Sequence, residues 1–128
     1  MRDAPMPKPL RVLLADDNQA LRENLVECLE EEGHVVAQAR DGEDALAQLA
    51  ASERPDVLVL DLVMPRLTGV EVAAAVRRDP RFRDLRLVLM TGRDGGASAW
   101  PEFDAVLTKP FDLGAFLSAI QRGERAPG

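Results

Sequence analysis

Several residue types that often carry chemistry are scarce in this chain. It has one cysteine, Cys28, one histidine, His34, one tryptophan, Trp100, and no tyrosine. A single cysteine excludes an internal disulfide framework and a cysteine zinc cluster. Cys28 reads instead as a buried small hydrophobe. His34 follows Gly33 at the start of an apolar segment and reads as a surface or edge residue. No apolar run approaches the roughly 18 residues that a membrane span needs. The first nine residues, MRDAPMPKP, hold an acid and three prolines and no apolar core, so they do not read as a signal peptide. A cytoplasmic location with no membrane contact is the expectation. Positive charge is in deficit: 16 Lys and Arg stand against 22 Asp and Glu, a net charge of −6. That balance argues against direct nucleic-acid binding. Five arginines do cluster, at 77, 78, 81, 83 and 86, but Asp79 and Asp84 interleave with them. They read as a solvated helix end and loop.

What is present is enough for one domain. The 128 residues are 46% hydrophobic and 30% charged, which suits a single globular core. Residues 1–9 are expected to be a flexible lead-in and 123–128 a flexible tail, with the domain at 10–122. Within it, short apolar runs alternate with amphipathic stretches. Strands are expected at 10–15, 34–39, 56–61, 85–90 and 105–108. Helices are expected between them. Asn18 is placed to cap the first, in which Leu21, Leu25, Cys28 and Leu29 share one face, and Gly33 ends it. The second runs from Glu43 to Ala51, the third from Thr68 to Arg78, and the last, capped by Asp112, to Gln121. Such alternation predicts an α/β, doubly wound domain with a five-stranded parallel sheet and helices on both faces.

The third strand raises the functional question. It reads VLVLDLVMP, Val57 to Pro65, with Asp61 at the end of an unbroken apolar run. Such a run suits a strand buried on both faces, and burying an unpaired carboxylate is costly. In open α/β sheets, however, ligands sit beyond the carboxyl ends of the strands. The expected strand ends deliver Asp16 and Asp17, Asp61, Thr91 and Lys109 to that one edge, while the second strand offers only Arg40 and Asp41. Three close acids repel one another. Oxygen donors at an open site suit a hard divalent cation such as Mg2+.

The stretches LLADDN, LDLVMPRLTG, LMTG and TKPF resemble the receiver domain of two-component response regulators. The resemblance covers residues 9–122. Its most specific element is D-x-x-M-P-x-x-x-G, formed by Asp61, Met64, Pro65 and Gly69, with an acidic pair upstream and Lys109-Pro110 downstream. It implies a flavodoxin-like strand order of 2-1-3-4-5. It implies Asp61 as phosphoacceptor, taking a phosphoryl group from a histidine kinase or a histidine phosphotransfer protein. Asp16, Asp17, Asp61 and the backbone carbonyl of Val63 would hold Mg2+. Lys109 and Thr91 would contact phosphoryl oxygens, and Pro110 would follow a cis bond. The product would be a switch that changes affinity for a downstream protein target.

The sequence also departs from that family. An aromatic or histidine usually stands three residues before the lysine; here it is Val106. Phe103 is a weak substitute. Thr91 and Lys109 are 18 residues apart, closer than is usual. The segment between them, GRDGGASAWP, opposes helix formation through its glycines and proline. The fourth helix is therefore expected to be short or absent, with Gly92, Arg93, Trp100, Val106 and Pro110 at the switch and partner surface. Trp100 reads chiefly as a cap on the core. A loop ordering transition over 92–103 would replace a helix shift. Apolar Val63 suggests slow loss of the phosphoryl group, with Arg93 acting in the other direction. A monomer is expected, since the usual dimer surface is the altered one. Alternatives are the receiver part of a longer regulator and a phosphate-independent docking module. A haloacid-dehalogenase-like hydrolase is disfavoured, because its second aspartate would fall at Val63.

Overall fold

A computed structural model describes residues 9–51, 54–92 and 99–121. Five parallel strands form one sheet: β1 (Arg11–Ala15), β2 (Val35–Ala39), β3 (Val57–Asp61), β4 (Arg86–Thr91) and β5 (Ala105–Thr108). Their order is β2-β1-β3-β4-β5. Among the described residues four α-helices accompany them: α1 (Gln19–Glu31), α2 (Gly42–Ala51), α3 (Gly69–Arg77) and α4 (Leu113–Ile120). A 3-10 turn, Pro80–Phe82, leads into β4.

Strand alternation sorts the core into two layers. Leu13, Leu58, Leu60, Leu87 and Leu89 meet Ala45 and Leu49 of α2 and Val72, Ala73 and Val76 of α3. Val12, Leu14, Val57, Val59, Val88 and Met90 meet Leu25, Val26 and Leu29 of α1 and Phe116 and Ile120 of α4. β3 is buried at all five positions, as the unbroken run predicted. The doubly wound sheet, its strand order and the helices on both faces are as expected.

The caps show why the helices begin where they do. Asn18 accepts from the Leu21 N–H and Asp112 from the Ala115 N–H. Thr68 and Glu71 form a reciprocal capping box at α3. Gly33, at φ +91°, carries the chain out of α1 through the left-handed region.

Among the described residues no α-helix lies between β4 and β5, and α4 is the helix after β5. Residues 93–98 of the 92–103 loop, Arg93 among them, lie outside the described residues, as do residues 1–8 of the lead-in and the 123–128 tail. Trp100 and Val106 pack, half-buried, against the α2–α3 side of the core, and Phe103 is buried within it.

Three sequence readings need correction. His34 is buried at 5% exposure. Its backbone N–H donates to the Leu29 carbonyl, and its Nδ1 accepts from the Leu10 N–H at 3.0 Å. The imidazole thus closes the gap between the end of α1 and the start of β1. Cys28 is half-buried, because it sits at the margin of the α1 stripe beside a groove towards α4. Arg77 is not a solvated charge. It is half-buried and donates to the carbonyls of Leu85 and Glu102 and to the Asp104 carboxylate, tying α3 to the segment before β5.

Candidate functional site

The sheet register sets the site. β1 ends at Ala15, paired with Ala39 and Leu60, so Asp16 and Asp17 leave the sheet beside the end of β3. Asp61, the last residue of β3, pairs with Met90, and Thr91 pairs with Thr108 on β5. The next residue is Lys109, whose N–H donates to the Thr91 carbonyl at 2.7 Å. The Lys109–Pro110 bond is cis.

The side chains converge. One carboxylate oxygen each from Asp16, Asp17 and Asp61 lies within 4.8 Å of the others. Lys109 Nζ donates to Asp61 Oδ1 at 3.0 Å. Asp16 and Thr91 are fully buried, Asp61 is 7% exposed, and Asp17 is open to solvent. Val63 follows on an exposed loop at 72%. Gly92 is exposed beside Thr91, with open space around it. This answers the question raised by VLVLDLVMP: Asp61 is buried by its strand but finds an ammonium at the rim.

Gly69 is required by the same corner. A Cβ there would lie 2.5 Å from the Asp61 carbonyl oxygen. Its N–H donates to the Leu62 carbonyl, while the Leu62 N–H donates to Met90. The chain after Asp61 is thereby folded back tightly onto the start of α3.

Burial pushes the Asp16 carboxyl above its usual range; the Asn18 backbone N–H opposes the shift and the Asp61 charge adds to it. Burial also raises Asp61, against the hydrogen bond and charge of Lys109. One ammonium therefore does not offset three acids. Asp16 Oδ1 accepts from the Asn18 N–H at 2.8 Å, but Asp16 Oδ2 is buried without a partner. A hard cation held by carboxylate oxygens fits both the donor set and this orphaned oxygen.

Arg22 and Arg66 escaped the sequence reading. Arg22 is buried at 8% exposure, and its Nη1 donates to the Asp16 carbonyl at 2.7 Å. Asp41, between β2 and α2, accepts from Arg66 at 2.7 Å. Arg66 lies in the loop after Val63 and has φ +72°. A polar residue in the opening turn of a helix gives no signal of burial, and the Arg66 contact spans 25 residues.

Residues 12–121 match the family of response regulator receiver domains. The chain belongs to the response regulator receiver family. This receiver is 40% identical to response regulator MprA of Mycolicibacterium vanbaalenii over 117 residues, 88% of the chain and 49% of that protein. It is also 40% identical to MprA of Mycobacterium leprae over 116 residues, 88% of the chain and 50% of that protein. The receiver thus spans about half the length of these curated relatives. Among solved structures it is similar to the chemotaxis response regulator CheY4 of Vibrio cholerae, with 29% identity and a TM-score of 0.81 over 90% of this chain and 98% of that one. It is also similar to TrrA of Thermotoga maritima, a complex with Mg2+ and BeF, with 31% identity and a TM-score of 0.73 over 87% and 98%. No helix among the described residues is long and apolar enough to cross a membrane.

Proposed function

We propose that this receiver accepts a phosphoryl group on Asp61 from a phosphohistidine, donated by a histidine kinase or a histidine phosphotransfer protein. The observation that carries the reading is the convergence of Asp61, Lys109 and the Asp16–Asp17 pair at one sheet edge, with Asp16 Oδ2 unpartnered. A carboxylate oxygen of Asp61 forms the new bond to phosphorus as the bond to the donor imidazole breaks, and the electron pair of that bond stays on the imidazole nitrogen. Lys109 offsets charge on Asp61 before transfer and on a phosphoryl oxygen after it. Thr91, at the end of β4, donates its hydroxyl to a second oxygen. Asp16, Asp17 and Asp61, with the Val63 carbonyl, would hold Mg2+. The ion, when bound, neutralises phosphoryl oxygens and keeps the transfer in line.

The protein is on this reading a phosphoacceptor that assists its own modification and slowly loses the group, not a turnover enzyme. Residues 10–122 form the domain, and its setting is the cytoplasm. Its output is a changed affinity for a downstream protein through the surface around Gly92, Trp100, Val106 and Pro110. The half-length match to the curated regulators supports a second reading, in which the receiver is one part of a longer regulator.

The test is incubation with acetyl phosphate, with and without Mg2+, followed by intact mass. A Mg2+-dependent gain of one phosphoryl group, absent in Asp61→Asn, is expected. No gain with this donor, together with no response of the fold to Mg2+ and beryllofluoride, would favour a phosphate-independent docking module.

A further inference from the structure

Arg22 lies in the first turns of α1, yet it is among the few charged residues that are buried. Burying a guanidinium is costly unless its donors are used. Two of them are. Nη1 donates to the Asp16 carbonyl at 2.7 Å and Nε donates to Gln38 Oε1 at 2.9 Å. Gln38 belongs to β2, and its own carbonyl accepts from Gln48 of α2 at 2.6 Å. The guanidinium therefore bridges α1, the end of β1 and β2.

The consequence falls on Asp16. Its N–H donates to the Ala39 carbonyl at 3.2 Å. Its carbonyl is held by Arg22, and its Oδ1 by the Asn18 N–H. Every polar group of Asp16 is thus tied except Oδ2, the buried oxygen without a partner. With the backbone held at two points and the carboxylate at Oδ1, Asp16 presents its remaining oxygen in one place. Lys could not substitute fully, since one ammonium does not reproduce the planar fork that reaches both acceptors.

We infer that Arg22 is a positioning residue for the divalent-cation site: by clamping the Asp16 carbonyl against β2, it pre-organises Asp16 Oδ2 to bind Mg2+. The inference rests on the reading of Asp16 as a metal ligand. Outer groups that orient ligands change metal affinity by about 10–100-fold when removed.

The test is Mg2+ binding to the unphosphorylated protein by titration calorimetry, in wild type, Arg22→Met, Arg22→Lys and Gln38→Met. The expected result is a Kd for Mg2+ raised roughly 10-fold in Arg22→Met, with Arg22→Lys between it and wild type. Phosphorylation by acetyl phosphate should then fall at limiting Mg2+ and recover as Mg2+ is raised. If Arg22→Met does not fold, Gln38→Met decides the matter. It frees one end of the clamp without touching Asp16, and a smaller rise in Kd is expected. An unchanged Kd in a folded Arg22→Met, or in Gln38→Met if that is the variant available, overturns the inference even if stability falls. Asp16→Asn separates this failure from a deeper one. If it binds Mg2+ as wild type does, the metal reading of Asp16 is what fails.

Discussion

Asp16 is fully buried, and one of its two carboxylate oxygens has no partner. Burial raises its pKa above the usual 3.8. In metal-free protein the folded state therefore holds this proton more tightly than the unfolded state does. The sign follows from linkage: the ionised group costs stability, and the cost appears as pH rises from about 3.8 through the raised value. Asp16→Asn keeps an acceptor for the Asn18 N–H and removes the charge. In chelator, urea unfolding should show the variant more stable than wild type by about 1–3 kcal/mol at neutral pH, with the difference vanishing towards the acid end of that window. Asp16, Asp17, Asp61, Thr91 and Lys109 were legible as strand-end residues because runs such as VLVLD and LVLMT announce both a strand and where it stops. Arg22 and His34 were not. Their burial comes from contacts with Asp16 and Gln38, and with Leu10, 24 residues away, and a polar residue type carries no sign of them.

At the scale of elements, the tight corner between β3 and α3 connects backbone geometry to the site. A methyl group at Gly69 would press on the Asp61 carbonyl oxygen. Gly69→Ala should cost about 1–3 kcal/mol in chemical denaturation and reduce phosphorylation by acetyl phosphate as well. Thr68→Ala, one residue earlier, removes the side-chain half of the capping box. It should cost about 1 kcal/mol and leave the path of Asp61 intact, so its effect on phosphorylation should be the smaller of the two. The caps at Asn18 and Asp112 were readable because they depend on residues three positions apart. Strand limits were readable to within a residue or so, since apolar alternation and turn residues are local. The link from β4 to β5 was only partly so. Its glycines and proline argue against a helix, but they do not say what packs in its place, and Trp100 and Phe103 supply part of that answer from the α2–α3 side.

For the whole molecule, the sheet carries a core layer on each face. α2 and α3 cover one face of the sheet, and α1 and α4 the other. α4 has eight residues and inserts Phe116 and Ile120, both fully buried. Phe116→Ala should lower stability by about 3–5 kcal/mol, measured as the shift of the urea midpoint. Class and layering were legible from alternation alone. The order β2-β1-β3-β4-β5 was not, because neighbouring strands are chosen by long-range packing; it followed from the resemblance carried by DxxMPxxxG and the Lys-Pro pair. That order is what sets β1 beside β3, and so the acidic pair beside Asp61.

Phosphoryl transfer to Asp61 is open to a direct test. The most direct measurement is to treat the protein with acetyl phosphate and Mg2+, quench with borohydride, and sequence the peptides by mass spectrometry. Hydride attacks the acyl carbon and displaces phosphate, so a phosphorylated aspartate is converted to homoserine. Homoserine is expected at position 61, dependent on both the donor and Mg2+. Homoserine at Asp16 or Asp17 instead, with position 61 unchanged, would contradict transfer to Asp61.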